Sequence, residues 1–174
     1  TSVAVNALAI HPLSPTTLYA GTDLGVFKST NSAASWTNTG LGSVQVRALA
    51  INPLAPATLY AATASGVFRS TNGTANWSAY SAGLSLSNLS VQALVTDPAA
   101  TLYAGPASGL FKRINAGTNW IAINTGLTNP HVNTLAIDPT TPPTIYAGTT
   151  VGLFQSLNGG NSWSAATNGL GVLD

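Results

Sequence analysis

The sequence predicts an all-β fold, a β-propeller of four four-stranded antiparallel blades of about 43 residues each, and three observations carry that prediction. One unit occurs four times: VNALAIHPLSPTTLYAGTDLGVFKSTNSAASW from Val5, VRALAINPLAPATLYAATASGVFRSTNGTANW from Val46, VQALVTDPAATLYAGPASGLFKRINAGTNW from Val91 and VNTLAIDPTTPPTIYAGTTVGLFQSLNGGNSW from Val132. The aromatic residues keep its register: Tyr19, Tyr60, Tyr103 and Tyr146; Phe27, Phe68, Phe111 and Phe154; Trp36, Trp77, Trp120 and Trp163. Each series steps by 41, 43 and 43 residues, and only Tyr80 falls outside the pattern. No stretch has helical periodicity.

Within a unit, four short runs are separated by turn chemistry. Strand A is V-x-A-L-A-I and ends at His-Pro, Asn-Pro or Asp-Pro; strand B is T-L-Y-A-G; strand C is G-V-F-K-S and ends at an Asn-containing octet; strand D starts at the Trp. Parallel solenoid coils are shorter and do not need four antiparallel runs per turn. The blades are expected at 1–43, 44–88, 89–130 and 131–174, forming one propeller unit.

Composition narrows the partners. Five basic and four acidic residues leave a net charge of +1, which gives no electrostatic footprint for nucleic acid or an anionic membrane. The chain contains no Glu, Cys or Met, so disulfides, thiolate metal sites and cysteine nucleophiles are excluded. No apolar run approaches the roughly 18 residues of a membrane span. An abundance of Thr, Ser, Asn, Ala and Gly over Lys and Glu suits a bacterial cell surface or extracellular setting. The chain opens on Thr1, which reads as a processed protein or an excised piece. Three N-x-Ser/Thr sequons, at Asn72, Asn76 and Asn88, are expected by chance in such a composition.

The octets are STNSAASW (29–36), STNGTANW (70–77), RINAGTNW (113–120) and SLNGGNSW (156–163). They resemble Asp-box, or BNR, repeats, and the Y-A-G-T, G-V-F-K-S and W-x-x-x-x-x-G-L phrases around them extend the resemblance over essentially the whole chain. Similar blades occur in sortilin-type receptors, photosystem II assembly factors, xyloglucanases and sialidases. The resemblance implies a propeller whose boxes are folding devices at the periphery, away from any binding face. This chain departs from the family in carrying Asn where Asp is usual, at Asn31, Asn72, Asn115 and Asn158. A neutral Asn still accepts bonds from its own turn amides, so the hairpin is expected to survive. Trp36, Trp77, Trp120 and Trp163 are expected to fasten each turn onto its own sheet.

Strand direction alternates, so A–B turns and octets share one end of the blade, while B–C turns and D–A crossings share the other. The copies differ most at the second end, where loops on a rigid scaffold carry function. Asp23, Tyr80, Asn88, Asn129 and His131 are its non-repeating candidates for ligand contact. The second residue of strand A, Asn6, Arg47, Gln92 or Asn133, predicts a polar lining near the axis, with Arg47 its one charge.

Catalysis has few carriers. The acids are Asp23, Asp97, Asp138 and Asp174. Glycoside hydrolysis needs two carboxylates about 5 to 9.5 Å apart, for which Asp97 and Asp138 are the candidate pair, although Asp before Pro is a routine turn initiator. A sialidase needs an arginine cluster plus Tyr and Glu. Here Glu is missing, and Arg47, Arg69 and Arg113 fall at unlike positions of their blades. His11 and His131 are expected on opposite faces, so neither a metal site nor a nucleophile and base pair assembles from them. No cofactor is expected.

Four is a small number of blades for such a ring. A closed four-bladed ring, a dimer making an eight-bladed ring, and part of a longer propeller are the three outcomes, the latter two preferred. The functional expectation is a non-enzymatic extracellular interaction or assembly module that binds a protein or glycan at the B–C and D–A end. The alternatives are a carbohydrate-active enzyme or remnant, and a structural unit of a surface filament.

Overall fold

The computed structural model describes residues 3–85, 87, 89–140 and 143–170. It contains four four-stranded antiparallel meanders, each built from one contiguous repeat. The first sheet runs β1 (Val5–Ile10), β2 (Leu18–Thr22), β3 (Gly25–Ser29) and β4 (Thr37–Asn38). The second runs β5 (Val46–Ile51), β6 (Leu59–Thr63), β7 (Gly66–Ser70) and β8 (Ser78–Ala79). The third runs β9 (Val91–Thr96), β10 (Leu102–Pro106), β11 (Phe111–Arg113) and β12 (Ile121–Ala122). The fourth runs β13 (Val132–Asp138), β14 (Thr144–Thr149), β15 (Gly152–Ser156) and β16 (Ser164–Ala165). The fold is a β-propeller arrangement, as the repeat predicts.

Three of the octets close by the same bonds. The Ser29 hydroxyl donates to Asn31 Oδ1 (2.9 Å) and accepts from the Ala33 amide (3.0 Å), while the Ser35 amide donates to Asn31 Oδ1 (3.0 Å). Ser70 with Asn72, and Ser156 with Asn158, repeat the pattern within 0.1 Å. A neutral amide oxygen thus suffices for the turn. The third octet differs because Arg113 stands in the serine position, and its Nε donates to the Gly117 carbonyl instead (3.0 Å).

The core lies between sheets. One cluster joins Tyr19 and Val26 of the first blade to Val46, Leu59 and Ala61 of the second. Another joins Tyr60, Ala62 and Val67 to Val91, Leu94, Leu102 and Trp120. The last joins Ala93, Tyr103 and Leu110 to Val132, Leu135, Ile145 and Trp163. Each blade therefore has a leading face, set against the blade before it, and a trailing face, set against the blade after it.

A register shift in every A–B pairing explains which residue faces which way. The ladder breaks between Val5 and Ala7, between Val46 and Ala48, between Val132 and Thr134, and opposite the Val91–Ala93 step. A bulge inserts one residue and re-aims its neighbours. Hence Val46 packs on the leading face while Ala48, two residues later, packs on the trailing one. Plain alternation would have put both on one face.

The blades form an open arc. The innermost strands pack in sequence, β1 on β5, β5 on β9 and β9 on β13, and β13 does not come round to pack on β1. Val5 and Leu8, on the leading face of the first blade, are 55% and 65% exposed, whereas Val46, Val91 and Val132 are fully buried. Of the three outcomes for ring closure, a four-bladed closed ring is not what the chain adopts. The Trp expectation also needs correction: the indoles bridge blades rather than fastening a turn to its own sheet. Trp77 Nε1 donates to Thr39 Oγ1 (3.3 Å), Trp120 Nε1 to the Tyr80 carbonyl (2.7 Å) and Trp163 Nε1 to the Ile123 carbonyl (2.7 Å). No described blade packs in front of Trp36, which stays 37% exposed.

Candidate functional site

Side chains at the B–C and D–A end are held by a turn device repeated in three blades. The Thr22 hydroxyl donates to the Gly25 carbonyl (2.9 Å) and accepts from the Leu24 amide (3.0 Å). Thr63 with Gly66 and Thr149 with Gly152 do the same. The closing glycine has positive φ, 102° at Gly25, 116° at Gly66 and 130° at Gly152, which an L side chain rarely adopts. The T-x-x-G spacing at 22–25, 63–66 and 149–152 marks this turn in the sequence. In the third blade Pro106 replaces the threonine.

The bulge at the second residue of strand A turns Asn6 and Arg47 towards this end, where they join the loops in one hydrogen-bonded chain. Asn6 Nδ2 donates to Asp23 Oδ1 (2.9 Å) and to the Val46 carbonyl (3.2 Å). Gln45, from the first D–A crossing, donates to the same Asp23 oxygen (3.0 Å). Arg47 Nε donates to Gln45 Oε1 (3.3 Å), and its Nη1 donates to Ser90 Oγ (2.7 Å) in the next crossing. Gln92 Nε2 reaches the same Ser90 hydroxyl (3.4 Å). The bonds from Asn6 and Gln45 hold the exposed Asp23 carboxyl below its ordinary pKa. Asp23 thus stays ionised while its carboxylate is shared by two neutral amides, and no cation neutralises it among the described residues. The chain runs along the inner rim of three blades and offers both donors and acceptors.

A second, smaller group lies before the fourth blade. Asn129 Oδ1 accepts from the His131 amide (2.8 Å) and from the Thr150 hydroxyl (3.4 Å). The Thr150 bond, like that of Gln45 to Asp23, ties a B–C turn to a D–A crossing, so the two loop sets do share one end. Tyr80 is not at that surface. It is buried against Tyr60, with ring centroids 5.4 Å apart, and its ring is stacked under the Arg113 guanidinium (3.5 Å) and beside Arg69 (4.5 Å). Its lone register made it look like a loop aromatic, whereas it fills the second seam. Asn88 lies outside the described residues, as does Asp174.

Asp97 and Asp138 both accept turn amides. Asp97 is buried, with Oδ1 taking the Thr101 amide (2.8 Å) and Oδ2 the Tyr103 hydroxyl (3.3 Å). Burial first, and the Asp97 carboxyl second, push the Tyr103 phenol well above its ordinary pKa. Asp138 is exposed and takes the Thr140 amide (3.2 Å). The other two copies use the slot alike, Asn52 accepting from the Leu54 amide (2.9 Å) and His11 Nδ1 from the Leu13 amide (3.2 Å). Among the described residues no three His or acidic side chains gather as metal ligands. No described helix is long and apolar enough to cross a membrane.

No protein-family model matches the chain, and no curated protein matches it in sequence. Its similarity is to solved structures. The GH74 enzyme of Niastella koreensis superposes with a TM-score of 0.78 at 22% identity, over 92% of this chain and 29% of that one. The extracellular domain of a putative one-component system, BT4673 from B. thetaiotaomicron, gives 0.74 at 21% identity over 92% and 22%. YCF48 from Cyanidioschyzon merolae gives 0.71 at 14% identity over 95% and 56%, and a YCF48 structure bound to a D1 peptide gives 0.61 at 15% identity over 93% and 53%. The chain therefore spans less than a third of the GH74 enzyme and just over half of YCF48, and what it shares with them is the propeller fold.

Proposed function

We propose that the chain is an Asp-box-type propeller module that binds a protein or glycan at its B–C and D–A end and carries out no catalysis there. The observation that carries this reading is the continuous rim from Asn6 through Asp23, Gln45 and Arg47 to Ser90. Neutral amides, one carboxylate and one guanidinium, cross-braced on rigid strands, suit hydrogen-bond recognition of hydroxyls or peptide groups. They lack the paired acid and base that bond cleavage requires. Asn129 and His131 extend the same surface towards the fourth blade. A peptide held by a propeller of the same fold supports a protein partner. An extracellular or cell-surface setting in a bacterium fits the composition and the fold shared with an extracellular sensor domain. Self-association of the arc, or continuation into further blades, belongs to this reading.

A glycan array and a peptide array, each run with the parent chain and with Asp23→Ala/Arg47→Ala, test the assignment. Binding by the parent and its loss in the variant is the expected result; binding unchanged by the double substitution would overturn the rim as the site. The rival reading, a carbohydrate-active enzyme using Asp97 and Asp138, draws on the fold shared with GH74 enzymes. It predicts glycan turnover that disappears in Asp97→Asn/Asp138→Asn, whereas the binding module predicts none in either protein.

A further inference from the structure

Three seams inside the arc follow one pattern. The first valine of the following blade seats over a small residue of the blade before it: a Cβ added at Gly21 would come within 2.7 Å of Val46, and one at Gly105 within 2.6 Å of Val132. Val91 packs with Ala62 at the corresponding place in the middle seam. The following Trp then lies against the preceding D–A crossing. Its indole bonds to the strand D end, and in the second and third seams its backbone amide donates to Ala82 or Thr125. Gly83 and Gly126 make room for that backbone, since a Cβ at either would fall within 2.5 Å of the Trp120 or Trp163 carbonyl.

Both halves of a fourth seam are also present, at opposite ends of the arc. On the leading face of the first blade, Val5, Leu8, Ala20, Phe27 and Trp36 line an apolar hollow of about 520 Å³. On the trailing face of the fourth, Gly148 has only Thr134 of its own blade above it, Gly169 faces open space, and Ala166 holds the repeat position of Tyr80 and Ile123. We propose that the occupant of each face is the other face of a second copy of this chain. Val5 of one copy seats over Gly148 of its partner, and the Trp36 indole donates to the Ala166 carbonyl. Two such seams, related by a two-fold axis, close an eight-bladed ring.

The continuity of pattern favours a second copy over an unrelated partner, because the seam is self-compatible and heterologous contacts that close make rings. Propellers are built with roughly four to eight blades, which two copies reach. Thr134 makes the fourth seam the weakest. It stands where Ala7, Ala48 and Ala93 stand, and its methyl leans over Gly148.

Sedimentation velocity on the chain tests the proposal. The expected species has about twice the 17.5 kDa chain mass. Val5→Asp changes an exposed side chain, so the arc keeps its circular dichroism while its self-association weakens by at least about 30-fold, the scale of losing a buried anchor. Thr134→Ala tightens association. A monomer at about 100 µM for both the parent and Thr134→Ala would overturn the proposal, since no affinity of consequence would remain. A dimer indifferent to Val5→Asp would overturn the register, and a ladder of masses would overturn two-fold closure. None of these outcomes bears on ligand binding at the rim, which the arrays read separately.

Discussion

Trp36 and Trp163 close octets with the same internal bonds, yet Trp36 is 37% exposed and Trp163 is 6% exposed. The Ser-to-Asn bond is 2.9 Å in both, and the amide bonds agree within 0.1 Å. The difference arises one level up. Trp163 has the third blade in front of it and donates to the Ile123 carbonyl, whereas Trp36 leads the arc. A turn motif shapes its own backbone within eight residues, but the burial of its Trp belongs to the neighbouring blade.

That contrast is best broken with the Trp residues themselves. Trp163→Ala should destabilise the arc by about 3–5 kcal/mol, the range for deleting a buried large aromatic. Trp36→Ala in the monomeric arc should cost clearly less, because no neighbouring blade covers that indole and only its own sheet lies against it. Urea unfolding of the two variants in a Val5→Asp background, which suppresses association, measures both. Equal costs would show that the octet holds its Trp locally.

The two glycines before the final leucines give a smaller version of the same contrast. Gly126 and Gly169 have nearly equal φ, 85° and 84°. A Cβ at Gly126 would lie 2.2 Å from the Trp163 carbonyl, while one at Gly169 meets nothing within 4 Å. Gly169→Ala should therefore cost only the left-handed backbone penalty of about 1–2 kcal/mol. Gly126→Ala should cost that and more, because the third seam must open. The gap between their urea midpoints is the measurement.

The smallest effect is on pH dependence. Tyr19, Tyr60 and Tyr103 are each covered by a following blade, and burial is the first cause that raises each phenol above its ordinary pKa. Below about pH 10 these groups are neutral in both the folded and unfolded chains and leave stability unchanged. Above it, the unfolded chain loses the protons while the folded chain keeps them, so stability falls as pH rises. Tyr103→Phe should flatten the decline in urea midpoint above about pH 10 relative to the parent.

Much of the fold was legible because its signals are local and repeated. Four strands per unit, the Asn-centred hairpins and the shared end of the B–C turns and D–A crossings all follow from turn chemistry read within one unit. Asp97, Asp138, Asn52 and His11 were likewise legible as turn acceptors from the residue before proline. The rim was only partly legible. Asp23 and Arg47 stood out as charges, but Gln45 and Ser90 looked like ordinary loop residues, and their role depends on crossings that bring separate blades within hydrogen-bond reach. Tyr80 was misplaced at the loop surface because burial by a third-blade arginine leaves no trace in its own neighbourhood.

The sequence by itself determined the number of blades, the order of their strands and the chemistry of their turns, since each rests on contacts made within about 40 residues. Tertiary structure alone decided which way the inner residues point and whether the arc closes. A bulge of one residue sends Val46 and Ala48 to opposite faces, and alternation read along a single strand cannot register that slip. Closure depends on the angle summed over three seams, to which every packed side chain contributes and which no single repeat contains.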